Sequence, residues 1–354
     1  QPTTNNQQPT TNNQQPTTPM DLPLIFLALM SIAMLAYVVL DGYDLGVGVL
    51  LRRASVEHKD TMIAAIGPFW DANETWLVLG VGLLLVAFPI AHGVILGALY
   101  LPVTLMLIAL MLRGVAFELR AKVQPERKFV WDRAFYAGSL GASLAQGFML
   151  GHYIVGFEQS LIAYLFAMLI APCLTAGYAL LGASFLIMKT EGQLQRRAIG
   201  WARGSLWFTA LGVLAVSIAT PLASPSIFDK WFSMPELIAL MPIPLMTLLL
   251  FVFAHIFLRR LASDAANDNG RGLQRWAWAP FVCALGVFVF AFLGLAYSLY
   301  PYLVIDRITY IDAASSREAL TIILIGTAIT LPAIVAYTAF SYRVFWGKAR
   351  KLSY

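Results

Sequence analysis

Leu40-Asp41-Gly42-Tyr43-Asp44-Leu45-Gly46-Val47-Gly48 follows a run from Leu22 to Leu40 that carries no charge. Such a run is close to the roughly 20 apolar residues that a membrane-spanning helix needs. Two carboxylates then stand where the helix is still hydrophobic on both sides. An acid at the centre of a bilayer helix costs about 2.5–3.5 kcal/mol on insertion scales. Acids three residues apart share one helical face, and a face of that kind needs a partner or a water-filled path.

The rest of the chain has the same character. Its 354 residues are 59% hydrophobic and 12% charged, with mean hydropathy +0.72, whereas a soluble domain carries about 25% charged residues. The expected fold is an all-α polytopic membrane protein. Nine spans are expected: 22–51, 74–91, 93–119, 132–155, 160–188, 201–222, 236–258, 277–300 and 318–346. The second is short and glycine-rich, and only Phe88-Pro89-Ile90-Ala91-His92-Gly93 separates it from the third. Pro102, Pro172 and Pro332 are tolerable because neighbouring helices can re-satisfy freed backbone groups.

Lys and Arg sort by loop. Arg52, Arg53 and Lys59 follow span 1; Arg113, Arg120, Lys122, Arg127, Lys128 and Arg133 surround the 3–4 loop. Lys189, Arg196, Arg197 and Arg203 mark the 5–6 loop, and Arg259, Arg260, Arg271 and Arg275 the 7–8 loop. Arg343, Lys348, Arg350 and Lys351 close the chain. Only Lys230, Arg307 and Arg317 fall on the other side. The positive-inside rule then places the N-terminus outside and the C-terminus in the cytoplasm, with an odd number of spans. The basic excess is topological and does not point to nucleic acid. Trp131, Trp201, Trp276, Trp278 and Trp346 beside the cytoplasmic charges, and Trp231 on the outer side, read as an aromatic belt at the headgroups.

Residues 1–19 are different in kind. QPTTNNQ occurs twice and QPTTP follows, a polar repeat that cannot bury a core and reads as disordered. Met20 reads as the natural start and the tail as an added or artefactual segment, leaving 20–354 as a single transmembrane domain. No cleavable signal peptide is expected, because no basic residue precedes the long first apolar run. Cys173 and Cys283 lack metal or disulfide spacing.

The charge pattern puts the intramembrane acids at one depth. Asp41 and Asp44 lie toward the cytoplasmic end of span 1, Asp71 and Glu74 at the start of span 2, and Glu118 near the end of span 3. Titratable groups so arranged in a dry wall suit a proton or cation path from the cytoplasm. Each also has a structural reading. Asp71 with Glu74 has capping-box spacing, Glu118 can pair with Arg113 or Arg120, and Asp44 lies near Arg52 and Arg53. Asp41 is the deepest and has no such partner in its own stretch. Gly42, Gly46 and Gly48 read as a face for close helix approach; without a following Lys or a preceding strand they form no nucleotide loop. Of the four histidines, His58 and His255 fall on the cytoplasmic side, His92 and His152 on the outer side, and none at mid-depth. A bis-His haem held by this chain alone is not expected.

Asp41-Gly-Tyr-Asp-Leu-Gly-Val-Gly48 resembles the D-G-[FY]-D-[LM]-G-V-G motif of subunit II of the cytochrome bd-type quinol oxidases. Trp70-Asp-Ala-Asn-Glu-Thr-Trp76 resembles that family's W-D-G-N-x-x-W, and Arg113-Gly-Val-Ala-Phe-Glu118 its R-x-V-x-F-[DE]. Tyr300-Pro-Tyr-Leu-Val304 with Asp312-Ala-Ala-Ser315 resembles the outer loop before its last span. The motifs keep the family order across about residues 20–350. Ala72 stands where Gly is usual and Ile311 where a Trp often precedes the Asp. The short 6–7 loop resembles the cyanide-insensitive branch.

The resemblance implies two four-helix bundles plus one peripheral helix, in a heterodimer with a similarly folded subunit I in the bacterial cytoplasmic (inner) membrane. It implies haem b and haem d, or b-type haems throughout, in subunit I and none in this chain. The implied reaction is quinol oxidation coupled to reduction of O2 to water, building a proton gradient without pumping. A small third subunit, lipid and quinone are further implied contacts. Carried over by position, Asp41, Asp44, Asp71 and Glu118 match family acids on a cytoplasmic proton path, with Glu74 at a position that is Glu or Gln. Trp70, Asn73, Trp76 and Arg113 match path-lining or structural positions, and some members also route O2 through this subunit. The other functional class compatible with nine spans and buried acids is a proton-coupled secondary transporter. Its sites usually lie at the midplane between repeats, and neither feature is evident here. A free-standing cytochrome b is disfavoured by the histidine count.

Overall fold

A computed structural model describes residues 21–267, 270–345 and 347–349. The low-complexity tail, Met20, Trp346, Arg350 and Lys351 lie outside the described residues. The chain begins with α1 (Leu22–Leu50), α2 (Val56–Ile66), α3 (Trp70–Ala87), α4 (Pro89–Ala98) and α5 (Tyr100–Lys122). It continues with α6 (Lys128–Ile154), α7 (Leu161–Lys189), α8 (Gly192–Ala223), α9 (Pro225–Phe232) and α10 (Glu236–Leu240). After α11 (Pro242–Ala266), α12 (Gly270–Trp276) and α13 (Ala279–Leu299) comes a two-stranded antiparallel hairpin, β1 (Tyr302–Val304) and β2 (Ile308–Thr309). The last helix is α14 (Arg317–Val344).

Local chemistry sets several of these boundaries. Asp21 caps α1 by accepting from the Leu24 N–H at 3.2 Å, and Ser160 and Ser316 cap α7 and α14 in the same way. Each cap satisfies a donor that would otherwise be orphaned in apolar surroundings. Pro89 lacks an N–H and starts α4 directly after the break at Phe88. Gly156 and Phe157 both take positive φ in the turn between α6 and α7.

The expected second and third spans need correction. The second ends at Ala87, α4 intervenes, and the next long helix starts at Tyr100. The second also has an unexpected forerunner, α2, which meets α3 at 51°. The capping box expected at Asp71 and Glu74 does not form: Phe69 is the N-cap of α3 and no side chain caps it. Among the described residues seven helices are long and apolar enough to cross a membrane, or up to eight if the bent α2–α3 pair is one span. The 27-residue α6 is not among them. It is diluted by buried Asp132, Ser139, Ser143, Gln146 and His152.

α1 packs against α3, α6 and α7, while α5 packs on α6, α7 on α8, and α11 on α13. The α1–α7 contact is backbone to backbone at Gly46, where an added Cβ would stand 1.8 Å from the Tyr178 carbonyl oxygen. This is the close approach that small residues permit in membrane helices. The largest core cluster lies there, around Tyr43, Leu45, Tyr178, Leu181 and Phe185. A second cluster at the opposite end joins Phe26, Leu83 and Phe88 to Leu303 and Tyr310 of the hairpin region.

Candidate functional site: a buried cluster of acids around one arginine

The C-terminal half of α1 buries Asp41 and Asp44 completely, both at 0% exposure. Tyr37, Asp41 and Asp44 follow one another at helical spacing and form a polar stripe in an apolar helix. Arg113 of α5, also at 0% exposure, reaches Asp41 Oδ1 at 2.6 Å and Glu74 Oε1 at 3.4 Å. It also acts electrostatically on Asp44. The Arg113–Asp41 contact is a tight ion pair, but its angle falls outside regular hydrogen-bond geometry. Gly138 of α6 allows this placement, since a Cβ there would lie 2.9 Å from the Arg113 backbone nitrogen.

Asn73 of α3 joins the acids to two tyrosines. Its two Nδ2 hydrogens face three acceptors, Asp44 Oδ2 at 2.8 Å, the Tyr43 hydroxyl at 2.9 Å and, sharing one of them, the Leu40 carbonyl at 3.2 Å. Tyr342, from α14, donates to Asn73 Oδ1 at 3.3 Å and lies 2.5 Å from the Tyr43 hydroxyl. On the other side, the Tyr37 hydroxyl interacts with Asp41 and accepts from Gln146 Nε2 at 2.7 Å. Tyr178 donates to Gln146 Oε1 at 2.7 Å. Trp76 is buried beside Tyr37, and Trp70 packs on Phe117 with centroids 5.0 Å apart.

The structure thus brings together Asp41, Asp44, Asn73, Glu74 and Arg113 of the expected residues. Asp71 reaches this group only through its electrostatic effect on Glu74, one turn away on α3, and Glu118 is not brought to it. Asp71 is exposed in the first turn of α3. Glu118 is exposed and pairs with Lys122 at 3.5 Å, not with Arg113 or Arg120. Asp44 does not face Arg52, whose guanidinium lies over Tyr136. Sequence reading missed Tyr37, Tyr43, Gln146, Tyr178 and Tyr342, which look like ordinary core aromatics and an isolated amide. The spacing of Tyr37 from Asp41 was the one available signal.

A second charge network sits at the end of the molecule where α2, α5 and α6 meet. Arg120 binds Asp132 Oδ1 at 2.6 Å and Asp60 Oδ1 at 2.8 Å. Lys59 adds a contact to Asp132 at 3.2 Å and Lys128 one to Asp60 at 3.3 Å. The histidines serve other packing. His58 bonds Ser55 at 2.9 Å, His152 stacks on Tyr164, and His255 meets Trp207 edge to face. No group of three or more His, Cys, Asp or Glu that could hold a metal ion occurs among the described residues.

This fold and cluster define a class: a multi-pass, all-helical membrane protein with an acid-rich charge centre sealed inside its helices. Residues 22–345 match the family model for cytochrome bd terminal oxidase subunit II, and the chain belongs to that family. It is 27% identical over 336 residues to cytochrome bd ubiquinol oxidase subunit 2 of Bacillus subtilis (strain 168), covering 91% of this chain and 95% of that protein. It is 25% identical over 381 residues to cytochrome bd-I ubiquinol oxidase subunit 2 of Escherichia coli (strain K12), covering 92% and 95% respectively. The fold matches a chain from the structure of bd oxidase from Geobacillus thermodenitrificans with TM-score 0.74 at 18% identity, covering 92% of this chain and 99% of that one. The chain is thus subunit II of a bd-type quinol oxidase, an oxidoreductase complex of the bacterial inner membrane.

Proposed function

We propose that this chain carries cytoplasmic protons toward the O2-reducing centre of its complex while bracing the partner, subunit I. The observation that carries this reading is the imbalance of the buried cluster. Among the described residues, Asp41, Asp44 and Glu74 share one cation, Arg113. Ionising Asp41, Asp44 and half-buried Glu74 together around Arg113 would leave uncompensated charge on fully buried aspartates, which costs several kcal/mol per ion. A cluster of this composition is stable when it holds protons, and such protons are exchangeable. Asp71 and Glu118, exposed on neighbouring helices, are the collecting acids in this reading. Asp41, Asp44 and Glu74 form the internal store, held by Arg113 and Asn73 between Trp70 and Trp76.

In the same reading α1, the α2–α3 pair, α5, α6, α7, α8, α11, α13 and α14 are nine spans in two four-helix bundles with one peripheral helix. The N-terminus is outside and the basic end is cytoplasmic, following the distribution of Lys and Arg. Haems b and d, or b-type haems alone, reside in subunit I and supply the electron transfer from quinol to O2. A route for O2, a small third subunit, and contacts with lipid and quinone rest on family likeness. The transporter alternative is not favoured by the family match.

The test is quinol-driven O2 consumption by the purified heterodimer. Asp41→Asn should slow turnover by about tenfold or more while haem content stays normal. Asp71→Asn should slow it less. Loss of haem or of the heterodimer, with normal turnover in the remaining intact enzyme, would make Asp41 structural and end this reading.

A further inference from the structure

We infer that Tyr43 and Tyr342 are positioning residues that act on Asp44 through a closed hydrogen-bond ring with Asn73. This rests on the proton-path reading above and identifies what holds its buried store in place. The directions of the bonds follow from which atoms can only donate or only accept. The Leu40 carbonyl can only accept, and it lies 3.2 Å from Asn73 Nδ2, so the flipped amide is ruled out. With the nitrogen on that side, its two N–H bonds go to the two nearest acceptors, Asp44 Oδ2 at 2.8 Å and Tyr43 Oη at 2.9 Å, and the more distant Leu40 carbonyl shares one of them. Tyr43 Oη thus accepts from Asn73, and its own proton goes to Tyr342 Oη, 2.5 Å away. Tyr342 in turn donates to Asn73 Oδ1 at 3.3 Å, and the ring closes.

The aromatic rings are themselves held. Tyr43 stacks on Phe185 with centroids 4.2 Å apart, and Tyr342 stacks on Phe69 at 4.6 Å. The amide therefore has one orientation, and Asp44 Oδ2 always meets an N–H. A proton on Asp44 is directed to Oδ1, the oxygen with no hydrogen-bond partner among the described residues. α1, α3 and α14 each contribute one member, so the docking of the last helix fixes the geometry of an acid on the first. Cooperative rings of this kind stiffen all their members together.

Phenylalanine at either tyrosine keeps the stacking and removes only the hydroxyl. In the purified heterodimer, Tyr43→Phe and Tyr342→Phe should each lower kcat for quinol oxidation by about three- to tenfold. The quinol KM should not change, and the solvent deuterium isotope effect on kcat should rise. The double variant should be no slower than the slower single, because either change opens the same ring. Asn73→Leu, which also removes the donor to Asp44, should fall at least as far. Wild-type rate and isotope effect in both tyrosine variants would overturn the inference, as would losses that multiply in the double variant. So would slow variants whose deficit tracks haem loss with an unchanged isotope effect. Asp44→Asn run in parallel separates the two levels. If it turns over at the wild-type rate, Asp44 leaves the path and the ring's role goes with it. If it is slow while both tyrosine variants are normal, the ring inference alone fails.

Discussion

Two charge clusters in this protein use the same residue types to opposite ends. The inner one sets Asp41, Asp44 and Glu74 against Arg113, with Asp41 and Arg113 wholly shielded from solvent. The other sets Asp60 and Asp132 against Lys59, Arg120 and Lys128, and water reaches Asp60 at 42% side-chain exposure. The second has cations to spare, and each of its acids is paired twice. It works as a clamp between α2, α5 and α6, with Arg120 bridging Asp60 through Nη1 and Asp132 through Nε. The first has acids to spare, and its two aspartates are fully shielded from solvent. Burial raises the energy of an unpaired charge far more than exposure does. The difference shows that pairing alone does not set a cluster apart; a buried excess of one sign does.

The largest test of this contrast is Arg113→Leu. Removing it leaves buried Asp41 and Asp44 and half-buried Glu74 without a counter-ion among the described residues, and we expect a loss of about 3–5 kcal/mol. Heterodimer yield and the unfolding temperature of whatever is recovered measure it. Arg120→Ala breaks two contacts in the clamp, yet its partners keep Lys59 and Lys128 and some solvent. We expect about 1–3 kcal/mol, seen as a lower unfolding temperature with turnover per haem near wild type. Should Arg120→Ala instead cut turnover with stability intact, the clamp would belong with the inner cluster. Salt gives a smaller effect. At about 1 M ionic strength the Debye length is near 3 Å, so the clamp should weaken and Arg120→Ala should lose salt sensitivity relative to wild type. The inner pair should not respond. Glu118→Gln is the smallest. Its exposed contact with Lys122 is worth about 0.5 kcal/mol or less, and turnover should fall less than in Asp41→Asn.

Much of the architecture is legible in the chain because lipid imposes a coarse rule. Runs such as Leu22–Leu40 have few other uses, and acids inside them are costly enough to stand out. The site was half legible for the same reason. Asp41, Asp44 and Glu74 were expected and are together, but Glu118 was expected with them and is not. Glu118 is five residues from Arg113, which turns it about 140° around the same helix. With Arg113 facing inward, Glu118 must face outward, a constraint that appears only when one of the two is placed. Tyr342 was invisible because it lies 269 residues from Asn73 in sequence. An aromatic near the end of an apolar run carries no mark of what its hydroxyl will meet. The break at Pro89 was readable locally. The forerunner α2 was not, because its packing, not its modest apolarity, holds it in place.

The sequence by itself determined a polytopic membrane protein, the ends of its helices that carry charge, and the buried acids that need explanation. These follow from the price of polar groups in hydrocarbon, which is paid residue by residue and can be read that way. Only the tertiary structure decided which acids meet, that Arg113 is their shared counter-ion, and that α1, α3 and α14 close a hydrogen-bond ring beside them. Those outcomes depend on rotation about helix axes and on approach between helices far apart in the chain. Gly46 against the Tyr178 backbone and Gly138 against Arg113 set that approach.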